Sequence, residues 1–290
     1  MTQTLRLIVI PLLLAGASLT FADIYLQGVG DDHARSFKHD RFYDGADRAF
    51  VAEDLGLSGV GHGHGWATMI SPQYFLSANH LHPRPGTQVT FWETNSNADP
   101  AKSHTYVVDD WGYRTTYTGQ PLADDPAGGS DLWIGRLTTP IKPEDNIAYY
   151  PIAQLPADAD YLHRKIYVVG RPFRVGLSRI TAIVDDFESG KTREMRYAFH
   201  AEPGEGMGES DCYLQGGDSG GPSFMLIDGK PALVGIHFTN NTSNGNPDPE
   251  DPRRGWSGDS FVPYYLDQIQ SHMTGQPAAV VSDAAQQSAD

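Results

Sequence analysis

The chain holds one cysteine, Cys212, in 290 residues, so no intramolecular disulfide can form. Basic residues are scarce as well: 21 Lys plus Arg stand against 36 Asp plus Glu, a formal net charge of −15. That balance argues against nucleic acid and anionic membrane surfaces as partners. Beyond the N-terminus no stretch approaches the ~18 consecutive apolar residues of a spanning helix, so no membrane partner is expected. Helical periodicity is missing from most of the chain, which leaves short strands as the main building unit.

Residues 1–22 carry one positive charge at Arg6, an apolar run broken by Pro11, and small residues ending Thr20-Phe21-Ala22. This is the pattern of a secretory signal peptide, with an alternative cut after Ala17. The mature chain is therefore expected outside the cell or in a periplasm, as a monomer, and long enough to bury a substantial core. Disulfides would be permitted there. Cys212 then reads either as a small buried apolar residue or as a redox site.

From residue 23 to 65 the chain is polar and Gly-rich, a propeptide or a wrapping arm (23–41) before the folded part. Runs rich in β-branched and aromatic residues follow at 66–70, 74–78, 88–92, 105–109 and 132–137, separated by Pro, Gly and Asn. They predict strands of a barrel or sandwich. A Pro-rich connection at 138–155 divides this half (42–145) from a second (146–274) with strands at 166–169, 177–184, 195–200, 222–227 and 232–238, closed by 257–265. A helix over 263–273 starts with Pro in its first turn and spaces Tyr265, Ile269 and Met273 by four. Residues 275–290, mostly Ala, Gln and Ser, predict a disordered tail.

The chemistry concentrates in Gly216-Gly217-Asp218-Ser219-Gly220-Gly221-Pro222 and in Leu76-Ser77-Ala78-Asn79-His80. A serine hydroxyl is a poor nucleophile at neutral pH. Acyl transfer needs a base to take its proton, a group to orient that base, and amide donors for the oxyanion. His80 and Ser219 supply base and nucleophile. Asp131, at the mouth of the apolar segment 132–137, is the orienting acid, with Asp109, Asp110, Asp124 and Asp125 as rivals within reach in sequence. The glycines around Asp218 let the amides of Gly217 and Ser219 face one point, an oxyanion hole.

Gly-Asp-Ser-Gly-Gly-Pro resembles the nucleophile motif of the chymotrypsin-like (trypsin-fold) serine peptidases. Ser77-Ala78-Asn79-His80 resembles that family's Thr-Ala-Ala-His, and Asp131-Leu132-Trp133-Ile134 its Asp-Ile-Ala-Leu; the order His80, Asp131, Ser219 is the family's order. The resemblance covers residues 42–273, though its sharp motifs fill only three windows. It implies an all-β fold of two six-stranded antiparallel barrels with a short C-terminal helix, the triad meeting between them. It implies a secreted serine endopeptidase acting on protein or peptide substrates without cofactor or metal. Lacking disulfides, the chain looks like a bacterial member. A catalytically inactive homologue acting as a binding module, or an esterase using the same triad, remains the alternative.

The resemblance carries two further expectations. A cut after Arg41 would free an amine at Phe42, in Phe42-Tyr43-Asp44-Gly45, to pair with Asp218. The substrate pocket would be built from Tyr213 and Leu214 before the nucleophile and from His237 and Phe238 after it. Tyr213 where trypsin-like members carry Asp argues against cleavage after Lys or Arg. Gly235-Ile236-His237-Phe238 resembles the Gly-Ile-His-Trp of glutamyl endopeptidases, and points to cleavage after Glu over large apolar residues, although Leu214 replaces the small hydroxyl residue expected there. His237 could equally be a strand residue packed beside the pocket.

Other signals are weaker. His62, His64, His80 and His82 form two His-x-His pairs, but no third ligand sits at a spacing that a zinc site would use; His62 and His64 are expected to be solvated. Gly258-Asp259-Ser260 lacks the following glycines and reads as a strand entry. Asn240-Asn241-Thr242-Ser243 and the Pro-rich 244–254, with Arg253-Arg254 as a nicking site, mark exposed loop.

Overall fold

A computed structural model describes residues 23–29, 37–117, 129–186, 192–200, 206–241 and 255–283. The signal peptide, Asp124, Asp125, the 244–254 loop and residues 284–290 lie outside them. The fold is all-β with one short helix.

After the two-residue β1 (Tyr25–Leu26), six strands close into an antiparallel barrel: β2 (Val60–His62), β3 (Trp66–Met69), β4 (Tyr74–Ala78), β5 (Gln88–Trp92), β6 (Ser103–Thr116) and β7 (Gly129–Leu137). Around the ring the order is β2-β3-β4-β7-β6-β5. Strands β3 and β4 are buried along their whole length, which is why they read as continuous apolar runs instead of alternating. Ala67, Met69 and Phe75 join Val89 and Phe91 inside the barrel, while Trp66, Tyr74, Leu76 and Ala78 face outward into a second core. Alternate side chains of one strand thus serve two cores.

The second half contributes β8 (Ile152–Ala153), β9 (Lys165–Gly170), β10 (Arg174–Asp186), β11 (Thr192–Ala198), β12 (Cys212–Tyr213), β13 (Pro222–Ile227), β14 (Lys230–Asn240) and β15 (Trp256–Phe261). Helix α1 (Leu266–His272) and β16 (Val280–Val281) complete the chain. Apart from β12, which pairs with β1, these strands build an eight-stranded sheet in the order β13-β9-β10-β11-β15-β14-β8-β16, in which β13 also pairs with β14. Tyr167, Phe224, Leu233 and Ile236 of this sheet share the outward core of the first barrel, so the two halves are joined by one apolar interior.

Two expectations change, at the C-terminus and its helix, while the stretch from residue 23 packs in the way its wrapping-arm reading describes. Ile24 and Leu26 are buried in the second half's core, and β1 runs antiparallel to β12, Tyr25 opposite Tyr213 and Leu26 opposite Cys212. Residues 275–283, expected to be disordered, bury Ala278 and lay Val280 and Val281 parallel to Ile152 and Ala153. The C-terminal helix is shorter than its period suggested, because Val262–Tyr265 form a 3-10 turn before it. It reaches the first barrel: Gln268 Oε1 accepts from the Thr116 amide at 2.8 Å, and its Nε2 donates to the Thr116 carbonyl at 2.8 Å.

Candidate active site

β4 ends at Ala78, and His80 lies two residues on. The Asn79 amide donates to the Asp131 carbonyl at 2.6 Å, which carries the ladder between β4 and β7 one step past the strand. His80 is thereby set opposite Asp131. Its Nδ1 lies 2.7 Å from Asp131 Oδ2, and its own amide donates to Oδ1 at 3.0 Å. A carboxylate only accepts, so Nδ1 carries the proton and Nε2 of the neutral ring is left as an acceptor. The His80 side chain is 47% exposed and that of Asp131 10%. The hydrogen bond to Asp131 raises the imidazole pKa above its ordinary value, against the burial that would lower it.

The rival acids are placed elsewhere. Asp109 accepts from the Trp111 amide at 2.9 Å and pairs with Arg136 at 3.1 Å. The Trp111 amide, with Asp110 and Arg136, lowers its pKa to about 2. Asp110 is exposed on the same strand.

Ser219 lies half-buried at the tip of the Gly216–Pro222 turn, between β12 and β13. The turn is closed by Asp218 N to the Gln215 carbonyl (3.1 Å) and Gly221 N to the Asp218 carbonyl (2.9 Å), and pinned to β14 by Gly220 N to the His237 carbonyl (2.8 Å). Gly217 and Gly220 adopt φ of 107° and 88°, a region that disfavours any side chain. A Cβ on Gly220 would also lie 2.7 Å from Ser77 Oγ, 3.1 Å from the Leu81 carbonyl and 3.3 Å from the Ala78 amide. The residue after Ser219 is therefore seated on the chain either side of His80. Among the described residues the Ser219 hydroxyl makes no hydrogen bond, and the amides of Gly217 and Ser219 donate to no protein acceptor.

Asp218 is wholly buried. Its Oδ1 accepts from the Arg171 amide (2.7 Å) and its Oδ2 from the Gln215 amide (2.8 Å). Burial raises its pKa to about 6, while those amides and His237 pull the other way. Its partners are thus backbone amides of the uncut chain. Phe42 N donates to Asp40 instead, at 2.8 Å. The Arg41 side chain is fully buried and donates to the carbonyls of Trp92 (3.0 Å) and Thr94 (3.1 Å) and to Asn95 Oδ1 (3.2 Å). A protease could not seat that side chain without unfolding the arm, so the expected cut at Phe42 has no support in this arrangement.

The expected substrate-pocket residues are interior. Tyr213 is fully buried, its ring stacked at 4.8 Å on Tyr25 and edge-on to Phe199 at 5.2 Å. Leu214 and Phe238 are also buried. The Leu214 amide donates to Ser257 Oγ and its carbonyl accepts from Asn240, which ties the segment before the nucleophile to β14 and β15. His237 is 0% exposed; its Nδ1 lies 2.7 Å from Asp259 Oδ1 and its Nε2 3.2 Å from the Val169 carbonyl. With both nitrogens engaged inside the sheet it is not available to a substrate carboxylate, and the reading of cleavage after Glu falls with it.

Asp259, the acid that holds His237 and also accepts from Tyr197 at 3.2 Å, was legible only as part of a strand entry. The Gly258-Asp259-Ser260 string does lie in β15, entirely buried. Cys212 is buried too, and burial first, with Asp211, Asp218 and Asp259, pushes its thiol far above the ordinary value. It behaves as a small apolar residue, not a redox centre. His62 and His64 part company. His62 packs edge-on against Trp66 at 4.8 Å, and burial lowers its pKa to about 4; His64 is exposed. Among the described residues no group of three or more His, Cys, Asp or Glu is arranged to hold a metal.

Beside His80 opens a cavity of about 520 Å³, lined by His64, His80, Leu81, His82, Arg84 and Thr87. No protein-family model matches the chain, and no curated protein sequence matches it. Among the described residues no helix is long and apolar enough to cross a membrane.

Proposed function

We propose that this chain is a secreted serine hydrolase of peptide bonds, built as two six-stranded barrels of the chymotrypsin-like type, the second being the six strands β13-β9-β10-β11-β15-β14 of the eight-stranded sheet, in which β13 also pairs with β14. The observation that carries this reading is the His80–Asp131 pair with the Ser219 turn seated on Ala78 and Leu81. Ser219 Oγ attacks the carbonyl carbon as His80 Nε2 takes its proton, and the unclaimed amides of Gly217 and Ser219 receive the oxyanion. His80 then passes the proton to the leaving nitrogen, and water, deprotonated by the same ring, releases the acyl group from Ser219. Asp131 holds the ring in the one tautomer that can do this. No cofactor enters any step.

The pinned Gly217 and Gly220 backbone favours this over an inactive binding module, which has no use for an oxyanion site. Fluorophosphonate labelling tests it. The chain should react at Ser219, Ser219→Ala should not, and peptide turnover should fall by on the order of 10⁶. An unreactive native chain would point to the binding module, and turnover of small esters with no peptide cleavage would point to the esterase.

A further inference from the structure

Resting on the hydrolase reading, we infer that the cavity beside His80 is a subsite for an acidic side chain on the leaving-group half of the peptide, with Arg84 as its specificity determinant. Among the described residues its lining holds one guanidinium, Arg84, with the imidazoles of His64, His80 and His82, and no carboxylate, in a chain whose net charge is −15. A fixed cation beside N–H donors, with no acid among them, offers an anion a partner. Arg84 is exposed, and its guanidinium has no carboxylate partner among the described residues. His82 is held rigidly, with Nδ1 2.8 Å from the Asn79 carbonyl and its ring stacked at 4.2 Å on Trp133. His64 is brought opposite by close backbone packing: a Cβ on Gly65 would lie 3.1 Å from the carbonyl carbon of His82 and from Pro83 N.

The side of the bond follows from where these residues sit. The amides of Gly217 and Ser219, which would hold the acyl carbonyl, belong to the second half of the chain. Among the described residues the cavity is lined from the first half alone, by His64, His80 and residues that follow His80. His80 is the group that meets the leaving nitrogen, and Gly220, just past the nucleophile, touches Leu81. A peptide with its carbonyl at those amides and its leaving nitrogen at His80 continues over Leu81 into the cavity, which is large enough for one extended carboxylate side chain.

The test is digestion of a peptide mixture randomised on both sides of the cut, with cut sites read by mass spectrometry, alongside fluorophosphonate labelling of the same samples. Asp and Glu should be enriched about fivefold over Lys at the first or second residue after the bond, the ratio expected of one partly exposed charge pair. Arg84→Glu should turn that preference toward Lys, its labelling reporting that it is folded. Labelling and cutting without acidic enrichment after the bond, enrichment only before it, or a preference unmoved by Arg84→Glu would each overturn the inference. A native chain that neither labels nor cuts would sink the hydrolase reading itself, and labelling tells the two failures apart.

Discussion

Two histidine–aspartate pairs in this chain share the same contact and differ in everything around it. His80 and Asp131 meet at 2.7 Å at the end of a strand, with the histidine side chain 47% exposed. His237 and Asp259 also meet at 2.7 Å, but both side chains are 0% exposed. In the first pair the second ring nitrogen has no hydrogen-bond partner among the described residues; in the second it is spent on the Val169 carbonyl. The same hydrogen bond therefore leaves the ring open on its far side in one place and fastens a sheet in the other, and under the proposed function the open ring is the base. What separates them is whether the far side of the ring has a partner, since a buried polar group must be satisfied and a catalytic one must not be.

The sharpest way to break this comparison is to remove each histidine. His80→Ala should reduce peptide turnover by on the order of 10⁶ and leave the melting temperature near that of the native chain. His237→Ala should do the reverse in kind, lowering stability in urea titrations by roughly 3 to 5 kcal/mol because it strands the buried Asp259. Unchanged stability in His237→Ala would show that the second pair is not a fastening. Asp131→Asn sharpens the first half: with the tautomer no longer held, kcat should drop about 10⁴-fold while the fold survives. A smaller effect is on pH. His80 must be neutral to act, and Asp131 raises its pKa above the ordinary value of 6.5. The rising limb of kcat/KM against pH should accordingly have its midpoint above 6.5 in the native chain and move to lower pH in the residual activity of Asp131→Asn. The smallest effect is expected at Cys212, whose buried thiol should resist iodoacetamide in the native state and react only once urea unfolds the chain.

How much of this was legible beforehand follows the same division between local and distant determinants. The strands at 74–78 and 88–92 appear where their apolar runs lie, and the contact of His80 with Asp131 could be expected because each sits in a local string. β6 extends seven residues past its expected end at 109, to Thr116, because Asp109, Asp110 and Gly112 interrupt the apolar pattern without interrupting the ladder. Two-residue strands such as β1 and β16 carry no period at all; their pairing depends on what lies opposite. His237 was misplaced for a related reason. A histidine in an apolar strand gives the same string whether it faces a groove or an interior, and the acid that decides the matter, Asp259, is 22 residues away. The Arg84 cavity gave a faint signal in the alternation of His80, His82 and Arg84, which puts a nitrogen-bearing side chain at every second position.

The clasp between Gln268 and Thr116 bears on the order in which the site comes into being during synthesis. Translation delivers His80 and Asp131 early, inside a barrel that closes on its own strands. The turn bearing Ser219 arrives much later, and the helix and final strand that fasten the second half against Thr116 and Ile152 come last. In the proposed hydrolase, then, His80 and Asp131 are made long before the serine they would serve. The candidate site is complete only once residues as distant as Gln268 have packed against the first barrel.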